Sequence, residues 1–548
     1  MTNHHLGRDI ILAAAVTMLG AALAYALCGG LPLIGIDDAA ITRSYSENIA
    51  RGAGYVYNVG GERVEGSTTL LWTMILAGFY ALTPSPEPLI VLTAGLLTLG
   101  AVLAGLRIAR VVTGELDGPA DLAVGILAVL LLASPGYFLW TVWTMMELAL
   151  WSAVTLWLVA HLAIRVEAGA PSGPGIGLFL PALLMPMIRP EGVAVAVGLV
   201  VLGILLAPGA WRRGVIALGL SLAAFVAVTW FRLEYFGQPF PNTFYAKVSS
   251  DRMQDLVDGA KYAISFLLGA PFVEIYLAGW ACAAVWALAR LFRGEQAGRG
   301  LLIPAAAVFG LLSVYAALGG DHFALWRFYQ PMTPILPAAL AIGAAMAIGI
   351  LVDRVAGRRL WMALPAGAAA LVVLVSGWLH YYQSRFDVVK EFTLVEQGLA
   401  FGSYLNGIEP RPSIGVGPAG GIALGYDGYI YDLLGLNWTE MAHANPIKVG
   451  MRNHASFDKP TFWEHRPDVL ATFNRPCSER GSQSFWAAND DAFDGLFEDQ
   501  RFRDEFTPVQ FFDGSSCWPG FAVPGWLETV GARDSIEVLS WSDVTLLN

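Results

Sequence analysis

Residues 36–69 read IDDAAITRSYSENIARGAGYVYNVGGERVEGSTT, a polar stretch in a chain that is mostly apolar up to Tyr382. The stretch begins with two adjacent carboxylates, Asp37 and Asp38, and continues with the charged residues Arg43, Glu47, Arg51, Glu62, Arg63 and Glu65. An acidic pair at the mouth of a membrane helix is costly unless it is paired or has a task. We therefore predict a carboxylate that acts as a base at the membrane surface. On an extended segment, neighbouring side chains point to opposite sides, so one carboxylate faces substrate and the other an arginine or a backbone cap.

The composition indicates a membrane protein with a polar tail. The chain has 548 residues, 56% hydrophobic and 14% charged, with a mean hydropathy of +0.56, which is typical of proteins with several membrane helices. From Arg385 onward there are 12 basic and 23 acidic residues, which accounts for the whole net charge of −11. We predict a transmembrane domain at 1–383, with a first extracytoplasmic loop at 32–87, and a soluble mixed α/β domain at 384–548. The acidic balance argues against nucleic acid as a partner.

Hydropathy predicts about eleven membrane spans, because a span needs roughly 20 apolar residues. They are 10–31, 88–111, 120–137, 143–166, 174–188, 191–207, 213–235, 274–293, 300–318, 331–353 and 359–381. The shorter segment 68–83 is predicted to lie in the interface. With the N-terminus inside, the basic turns fall on the cytoplasmic side, as the positive-inside rule requires. The tail then lies outside, in the periplasm of a bacterial inner-membrane protein.

Charged residues lie tight against the apolar segments on the predicted outer face. They are Glu147, Arg189, Glu191, Asp321 and Arg327. Charge at this depth is rare without a partner or a task, so we predict that they form one polar cavity with the acidic pair. Aromatic residues such as Trp326, Tyr329 and Tyr245 are typical of interfacial belts.

The tail carries three predicted strands and two cysteines. Strands are expected near 412–416, 429–436 and 466–473, and the tail's many Trp and Phe residues are expected in its core. Cys477 and Cys517 are predicted to form a disulfide if the tail is extracytoplasmic. The glycines of 415–421 lack the spacing and lysine of a nucleotide-binding loop.

Ordered sequence islands resemble the GT-C superfamily of polyprenyl-phosphate-sugar glycosyltransferases, and within it the mycobacterial terminal β-1,2 arabinofuranosyltransferases and their Gram-negative relatives. The islands are DDAAITR (37–43), GAGYVYN (52–58), GERVEGS (61–67), Glu147, RPEG (189–192), PNTFYAK (241–247), GGD (319–321), RF (327–328), DLLGL (432–436) and RPD (466–468). The chain departs from these relatives at Met145-Met146, where they have a small residue and Gly before the glutamate.

The resemblance implies a GT-C fold and a polyprenyl-phosphate sugar donor, with decaprenyl- or undecaprenyl-phosphate arabinose favoured, besides a glycan acceptor and membrane lipid. It implies substrate-binding roles for Arg43, Glu65, Glu147, Arg189, Glu191, Asn242, Tyr245, Lys247, Asp321, His322 and Arg327. Asp37 or Asp38, with Asp37 slightly favoured, is the predicted base of an inverting transfer. Lys247, Arg327 and Arg189 are the predicted cations for the phosphate leaving group. No cofactor is required, and a divalent cation on the acidic pair is a minor alternative.

Two other functions stay open. An O-antigen ligase or polymerase would use a pyrophosphate-linked glycan at a similar outer cavity and would need more cationic residues there. A lipid or glycan transporter would carry polar residues through the bilayer centre and internal repeats, neither of which is evident in the sequence.

Overall fold

The computed structural model describes residues 3–169, 175–354, 359–444, 448, 456–471, 484–486, 492–514 and 516–547. The chain is mostly helical. The helices are α1 Asn3–Leu27, α2 Asp37–Ala50, α3 Leu70–Leu82, α4 Glu87–Glu115, α5 Ala120–Leu132, α6 Pro135–Phe138, α7 Leu148–Ala168, α8 Ile176–Ile188, α9 Gly192–Leu206, α10 Trp211–Phe236, α11 Asn242–Lys247, α12 Arg252–Gly269, α13 Val273–Phe292, α14 Leu302–Ala317, α15 Ala338–Arg354, α16 Arg359–Ser384, α17 Phe386–Leu405, α18 Gly420–Gly425, α19 Thr439–Ala444, α20 Lys459–His465, α21 Gln500–Glu505 and α22 Pro524–Val530.

The chain forms two compact units. The first comprises residues 1–31, 88–228 and 257–387, and the second comprises 32–87, 229–256 and 388–548. The loop after α1 and the segment around α11 therefore belong to the same unit as the tail, although they are far from it in sequence. The boundary at residue 383 between a transmembrane domain and a soluble domain stays a prediction.

Eleven spans are not confirmed. Among the described residues, six helices are long and apolar enough to cross a membrane: His5–Leu27, Glu87–Glu115, Leu148–Ala168, Pro208–Phe236, Val273–Phe292 and Arg299–Ala317. The bent pair Ala120–Leu132 and Pro135–Trp143 would make a seventh. The predicted spans at 174–188 and 191–207 are helices of 13 and 15 residues, and at 1.5 Å per residue they reach only about 20 Å. In the predicted span 359–381, the side chains of residues 359–366 lie outside the described part of the structure.

The tail contains the mixed α/β structure that the sequence predicts. A six-stranded sheet has the order β2-β1-β3-β6-β5-β7, and β4 pairs with β8. The strands are β1 Ile414–Val416, β2 Ile430–Asp432, β3 Val469–Ala471, β4 Ser484–Trp486, β5 Thr507–Phe512, β6 Cys517–Ala522, β7 Ile536–Val538 and β8 Thr545–Leu547. The first three strands are parallel, with Ile414 opposite both Ile430 and Val469. All three predicted strands are confirmed.

Aromatic side chains form the core beside this sheet, as predicted. Phe462, Phe497, Phe502 and Phe521 are buried in one apolar cluster, and Trp518 and Trp526 are buried as well. Such residues supply most of the apolar area that a small domain can bury. They are consequently packing residues and leave no exposed stacking surface of their own.

The acidic pair is helical and not extended, which corrects the prediction for this segment. Asp37 and Asp38 are the first two residues of α2, where carboxylates are favoured by the positive end of the helix dipole. Successive residues of a helix are rotated by about 100°. The two carboxylates therefore still point in different directions.

Two glycines let α18 approach its neighbours closely, Gly420 toward α2 and Gly421 toward α17. A Cβ atom at Gly420 would lie 2.0 Å from the carbonyl oxygen of Asp37, and one at Gly421 would lie 2.5 Å from that of Val395. Real Cβ atoms do not make such contacts, so any side chain at Gly420 forces α18 away from α2.

We predict that Gly420→Ala destabilises the second unit by about 1–3 kcal/mol, the usual effect of overpacking. The measurement is the melting temperature of the purified protein in detergent. Gly525→Ala is the matched control, because a Cβ at Gly525 meets nothing within 4 Å. Equal melting temperatures for the two variants would contradict the close approach of α2 and α18.

Candidate active site

Asp37 is buried and serves as a backbone cap. Its carboxylate accepts hydrogen bonds from the N–H groups of Gly420, at 3.0 Å, and Gly421, at 2.9 Å. Burial raises the pKa of Asp37 to about 6, against the lowering effect of the two backbone donors. The side chain is only 7% exposed, so its oxygens face protein donors rather than an incoming substrate.

Asp38 differs from its neighbour in exposure. Its side chain is half-buried, and its carbonyl oxygen accepts from the Thr42 hydroxyl at 3.2 Å, a bond within α2. Of the two adjacent carboxylates, Asp38 is the one that solvent can reach. The slight preference for Asp37 as base thus has no geometric support, because Asp37 takes the capping role.

A second buried carboxylate, Asp432, was not among the predicted site residues. It lies at the end of β2 and accepts from the backbone N–H and side-chain amide of Asn437, at 2.9 and 2.7 Å. The side-chain Oδ1 of Asn437 in turn accepts from the Tyr45 hydroxyl at 3.0 Å. Burial raises the pKa of Asp432 to about 6. The only sequence signal was its place in the DLLGL island.

The remaining contacts of α2 and its loop are also tight. Tyr57 donates to the Ala419 carbonyl at 2.6 Å. Arg43 is buried and pairs with Glu87, while its other nitrogens donate to the Tyr80 hydroxyl at 3.0 Å and the Ile34 carbonyl at 2.6 Å. Arg43 is therefore engaged by protein groups, and of the two predicted roles for the second carboxylate, the backbone cap is the one that Asp37 takes.

Glu65 forms a buried ion pair with Arg232, which the sequence analysis did not identify. Arg232 Nε lies 2.7 Å from Glu65 Oε2, and Nη2 lies 3.0 Å from Oε1. Both residues are 3% exposed. The backbone N–H of Asn242 donates to the Glu65 carbonyl at 2.9 Å, and the Asn242 amide donates to the carbonyls of Gly435 and Leu436. Glu65 and Asn242 thus hold the loop, α11 and the tail together.

Lys247 ends α11 and differs from Arg43 and Arg232, the two buried arginines of this unit described above. It is half-buried, and it makes no ion pair within the part of the chain that the structure describes. Two residues earlier, the Tyr245 ring stacks on His443 at 4.3 Å between centroids. Lys247 is accordingly a cation of the second unit that keeps its charge available.

In the first unit, Arg189 lies between two carboxylates. Its Nη1 lies 2.5 Å from Glu147 Oε1, and its Nε lies 2.5 Å from Glu191 Oε1. The guanidinium also lies 5.8 Å from the Tyr315 ring centre and 5.0 Å from that of Phe328. One cation with two carboxylates carries a net negative charge, which suits a hydroxyl or a cation better than a phosphate.

Arg327 and Asp321 form a second buried pair in the first unit. Arg327 donates to both Asp321 oxygens, at 2.7 and 3.0 Å, and lies 4.1 Å from the Phe323 ring centre. The Nδ1 atom of His322 lies 3.5 Å from Asp321 Oδ1. This bidentate geometry is the strong form of an arginine–carboxylate pair. The two N–H groups of Arg327 that could hold phosphate oxygens are therefore already bound to Asp321.

Unusual backbone conformations surround these charges. Residues Leu139–Trp143 form a π-helical turn, and Met145, Leu325 and Trp326 have positive φ angles of 61°, 59° and 49°. Such features are held only where the surrounding structure determines them, and they are frequent at functional sites. Met145 belongs to the Met145-Met146 pair at which this chain departs from the resembled family.

The predicted residues fall into two sets. Asp37, Asp38, Arg43, Glu65, Asn242, Tyr245 and Lys247 belong to the second unit, and Glu147, Arg189, Glu191, Asp321, His322 and Arg327 belong to the first. Membership of one unit does not by itself place the residues of a set in one site, and a single cavity that combines both sets stays a prediction. No group of three or more His, Cys, Asp or Glu side chains that could hold a metal ion occurs among the described residues. Cys477 lies outside the described residues, so its disulfide with Cys517 stays a prediction.

Comparisons with known proteins give little further guidance. No protein-family model matches the chain, and no curated protein matches it. Among solved structures, the chain is similar to the crystal structure of ArnT from Cupriavidus metallidurans in the apo state, with 14% identity and a TM-score of 0.48, over 96% of this chain and 99% of that chain. A likeness at this identity and score says nothing of activity, so the function is argued from the chain's own residues.

We predict that Arg189→Gln destabilises the first unit by about 3–5 kcal/mol, because it leaves the buried Glu147 and the half-buried Glu191 without a counter-charge. The measurement is again the melting temperature in detergent. The triple variant Arg189→Gln, Glu147→Gln, Glu191→Gln removes all three charges and should recover most of the loss. Arg51→Gln, at an exposed pair with Glu47, should melt like the parent protein. A parent-like melting temperature for Arg189→Gln alone would refute the buried ion triad.

Proposed function

We propose that the protein is a membrane glycosyltransferase that transfers a sugar from a polyprenyl-phosphate donor to a hydroxyl of an extracytoplasmic glycan. The different environments of Asp37 and Asp38 carry the proposal. Solvent reaches Asp38 on α2, while its neighbour Asp37 is hydrogen-bonded to the backbone. A carboxylate held in this position is suited to remove a proton from an acceptor. The long apolar helices supply a surface at which a prenyl-linked donor is available.

Asp38 is the proposed base. In a single displacement, the acceptor oxygen forms a bond to the anomeric carbon while its proton passes to a carboxylate oxygen of Asp38. The bond between the anomeric carbon and the phosphate oxygen breaks at the same time, and its electron pair leaves with the polyprenyl phosphate. The anomeric configuration is therefore inverted.

Lys247 is the proposed cation for the leaving phosphate. Arg43, Arg232, Arg189 and Arg327 already pair with carboxylates, and breaking a buried pair to bind phosphate would leave a carboxylate without a counter-charge. Lys247 requires no such exchange. A lysine ammonium acts on the developing phosphate charge as a compact point charge.

The finer parts of the proposal rest on the resemblance. Arabinofuranose as the sugar, a decaprenyl or undecaprenyl carrier, and the inner membrane of a bacterium with the tail in the periplasm come from the ordered islands between residues 37 and 468. The substrate-binding roles of Glu147, Arg189 and Asp321 come from the same resemblance.

We predict that Asp38→Asn lowers the transfer rate by about 10²–10⁴-fold, the usual contribution of a positioned base, and lowers the melting temperature less than Asp37→Asn does. The assay follows radiolabelled sugar from a synthetic polyprenyl-phosphate donor to acceptor glycan with purified protein. Asp37→Asn is the matched comparison. It weakens the cap on Gly420 and Gly421 and should lower the melting temperature while reducing transfer less. Full activity of Asp38→Asn would refute the base assignment.

We predict that Lys247→Gln lowers kcat on the order of 10²-fold, the scale found when one donor to a developing anion is removed. Lys247→Arg keeps the positive charge and should restore part of the rate. Lys261→Gln is the control, because Lys261 is an exposed lysine paired with Asp258. A variant Lys247→Gln that changed only the KM for acceptor would assign Lys247 to acceptor binding instead.

A further inference from the structure

Helix α12, Arg252–Gly269, carries an apolar stripe that has no role in the proposed transfer. Because successive residues of a helix are rotated by about 100°, the apolar positions of the stripe fall within a sector of roughly 120°. These positions are Met253, Leu256, Val257, Ala260, Ile264 and Leu268. All of them are exposed, and the side chains larger than alanine are 41–78% exposed. From Met253 to Leu268 the stripe runs about 22 Å along the helix, at 1.5 Å per residue.

The opposite face of α12 is the one that packs against protein. Its buried residues are Asp255, Gly259, Tyr262 and Phe266. A Cβ atom at Gly259 would lie 1.8 Å from the carbonyl oxygen of Ala316, so the helix lies directly against α14. The rings of Tyr262 and Phe266 lie 5.0 and 4.7 Å from the ring of Tyr329. These contacts fix the rotation of the helix, and they hold the stripe outward.

The charged residues of α12 avoid the stripe. They are Arg252, Asp255, Asp258 and Lys261, and at about 100° per residue all of them lie outside the apolar sector. This number of charges in a helix of 18 residues prevents it from crossing a bilayer, and α12 is not among the candidate spans of the described residues. A stripe without charges on a charged helix is typical of a helix that lies in the membrane interface.

The next helix along the chain indicates what covers the stripe. Only residues 270–272 separate α12 from α13, which is a candidate span. In this link Pro271 lacks a backbone N–H group and Phe272 has a positive φ of 64°, so α12 ends there and the chain changes direction. When a helix spans a bilayer, its exposed apolar side chains contact lipid. Val285 of α13 is 67% exposed, within the range of the stripe residues. The stripe is therefore continuous in sequence with a surface that faces lipid.

The size of the stripe argues against a protein partner or a second copy of the chain. A strip about 22 Å long and one helix diameter wide, about 10 Å, covers roughly 220 Å². Each partner of a stable protein–protein interface buries about 800 Å². Lipid chains require no such minimum, because the candidate spans already bring the chain to the membrane.

We propose that α12 is a lipid-binding surface that lies in the membrane interface, with its apolar stripe inserted among the upper acyl chains of the bilayer. The partner is membrane lipid, and the stripe reaches about 5–10 Å into the boundary between head groups and acyl chains. The buried face of α12 stays on α14, and the charged residues outside the stripe remain at the level of water and head groups. The proposal is independent of sugar transfer, and its test requires no activity.

The test places the fluorescent amino acid Anap at single positions of the full-length protein in nanodiscs of phosphatidylcholine and phosphatidylglycerol. The probe position is Ile264, in the stripe. Gln254 is the matched control, because it is an exposed polar residue of the same helix, about 90° from the centre of the stripe. Val285, about 18 Å along α13 from its first residue, is the reference for the bilayer core. The quenchers are lipids with a nitroxide near the head group, lipids with a nitroxide at the chain end, and iodide in the water.

At Ile264 we expect the shallow nitroxide to quench Anap about twofold more strongly than the deep nitroxide, as interfacial depth requires. At Val285 the order should be reversed. Iodide should quench Anap about twofold more strongly at Gln254 than at Ile264. If the protein labelled at Ile264 does not fold, Leu256 in the same stripe takes its place.

Three results at Ile264 would overturn the proposal. Iodide quenching equal to that at Gln254 would mean that the stripe faces water. Protection from iodide and from both lipid quenchers would mean that another protein or a second copy covers it. Stronger quenching by the deep nitroxide than by the shallow one would mean that α12 lies in the bilayer core and not in the interface.

Discussion

The hydrogen bonds from Gly420 and Gly421 to the buried carboxylate of Asp37 constrain the rest of the second unit. A carboxylate removed from water is stable only where donors replace its hydration, and here two backbone N–H groups do so. Because both donors belong to glycines, α18 lies directly against α2. The first polar loop and the C-terminal sheet consequently form one unit, although about 380 residues separate them in sequence.

Further polar bonds within that unit follow the same rule. Tyr45 reaches Asn437, Asn437 satisfies Asp432, and Asn242 reaches the carbonyls just before Asn437. The bonds of Tyr45 and Asn242 reach distant parts of the chain, while the Asn437–Asp432 bonds are local, so together they fix the mutual positions of α2, α11 and β2. A buried network that is satisfied in this way rigidifies its surroundings. Rigid support is what a catalytic group on α2 requires, since a base works only at a fixed distance from the proton it removes.

The sequence predicted local features well and long-range partners poorly. The three parallel strands were evident because short apolar runs beside glycines and prolines are typical of them. The prediction of eleven spans is not confirmed, because hydropathy does not report the length of a helix. The segment of α8 contains Pro181 and Pro186, and the bent pair breaks at Ser134. Arg232 was missed because it lies within an apolar run, and no local pattern indicates that its partner is Glu65.

The same reasoning favours one of the adjacent aspartates as the proposed base. A general base must be reached by the acceptor hydroxyl and must lose its proton again after each turnover. Asp37 meets neither condition easily, since protein donors cover both its oxygens and freeing them would detach α18. Asp38 shares the position of Asp37 on the chain and is held by the same helix, but it keeps contact with solvent. The fixed carboxylate of Asp37 thus helps to position Asp38 on the same helix. The difference in burial favours Asp38 over Asp37 as the proposed base.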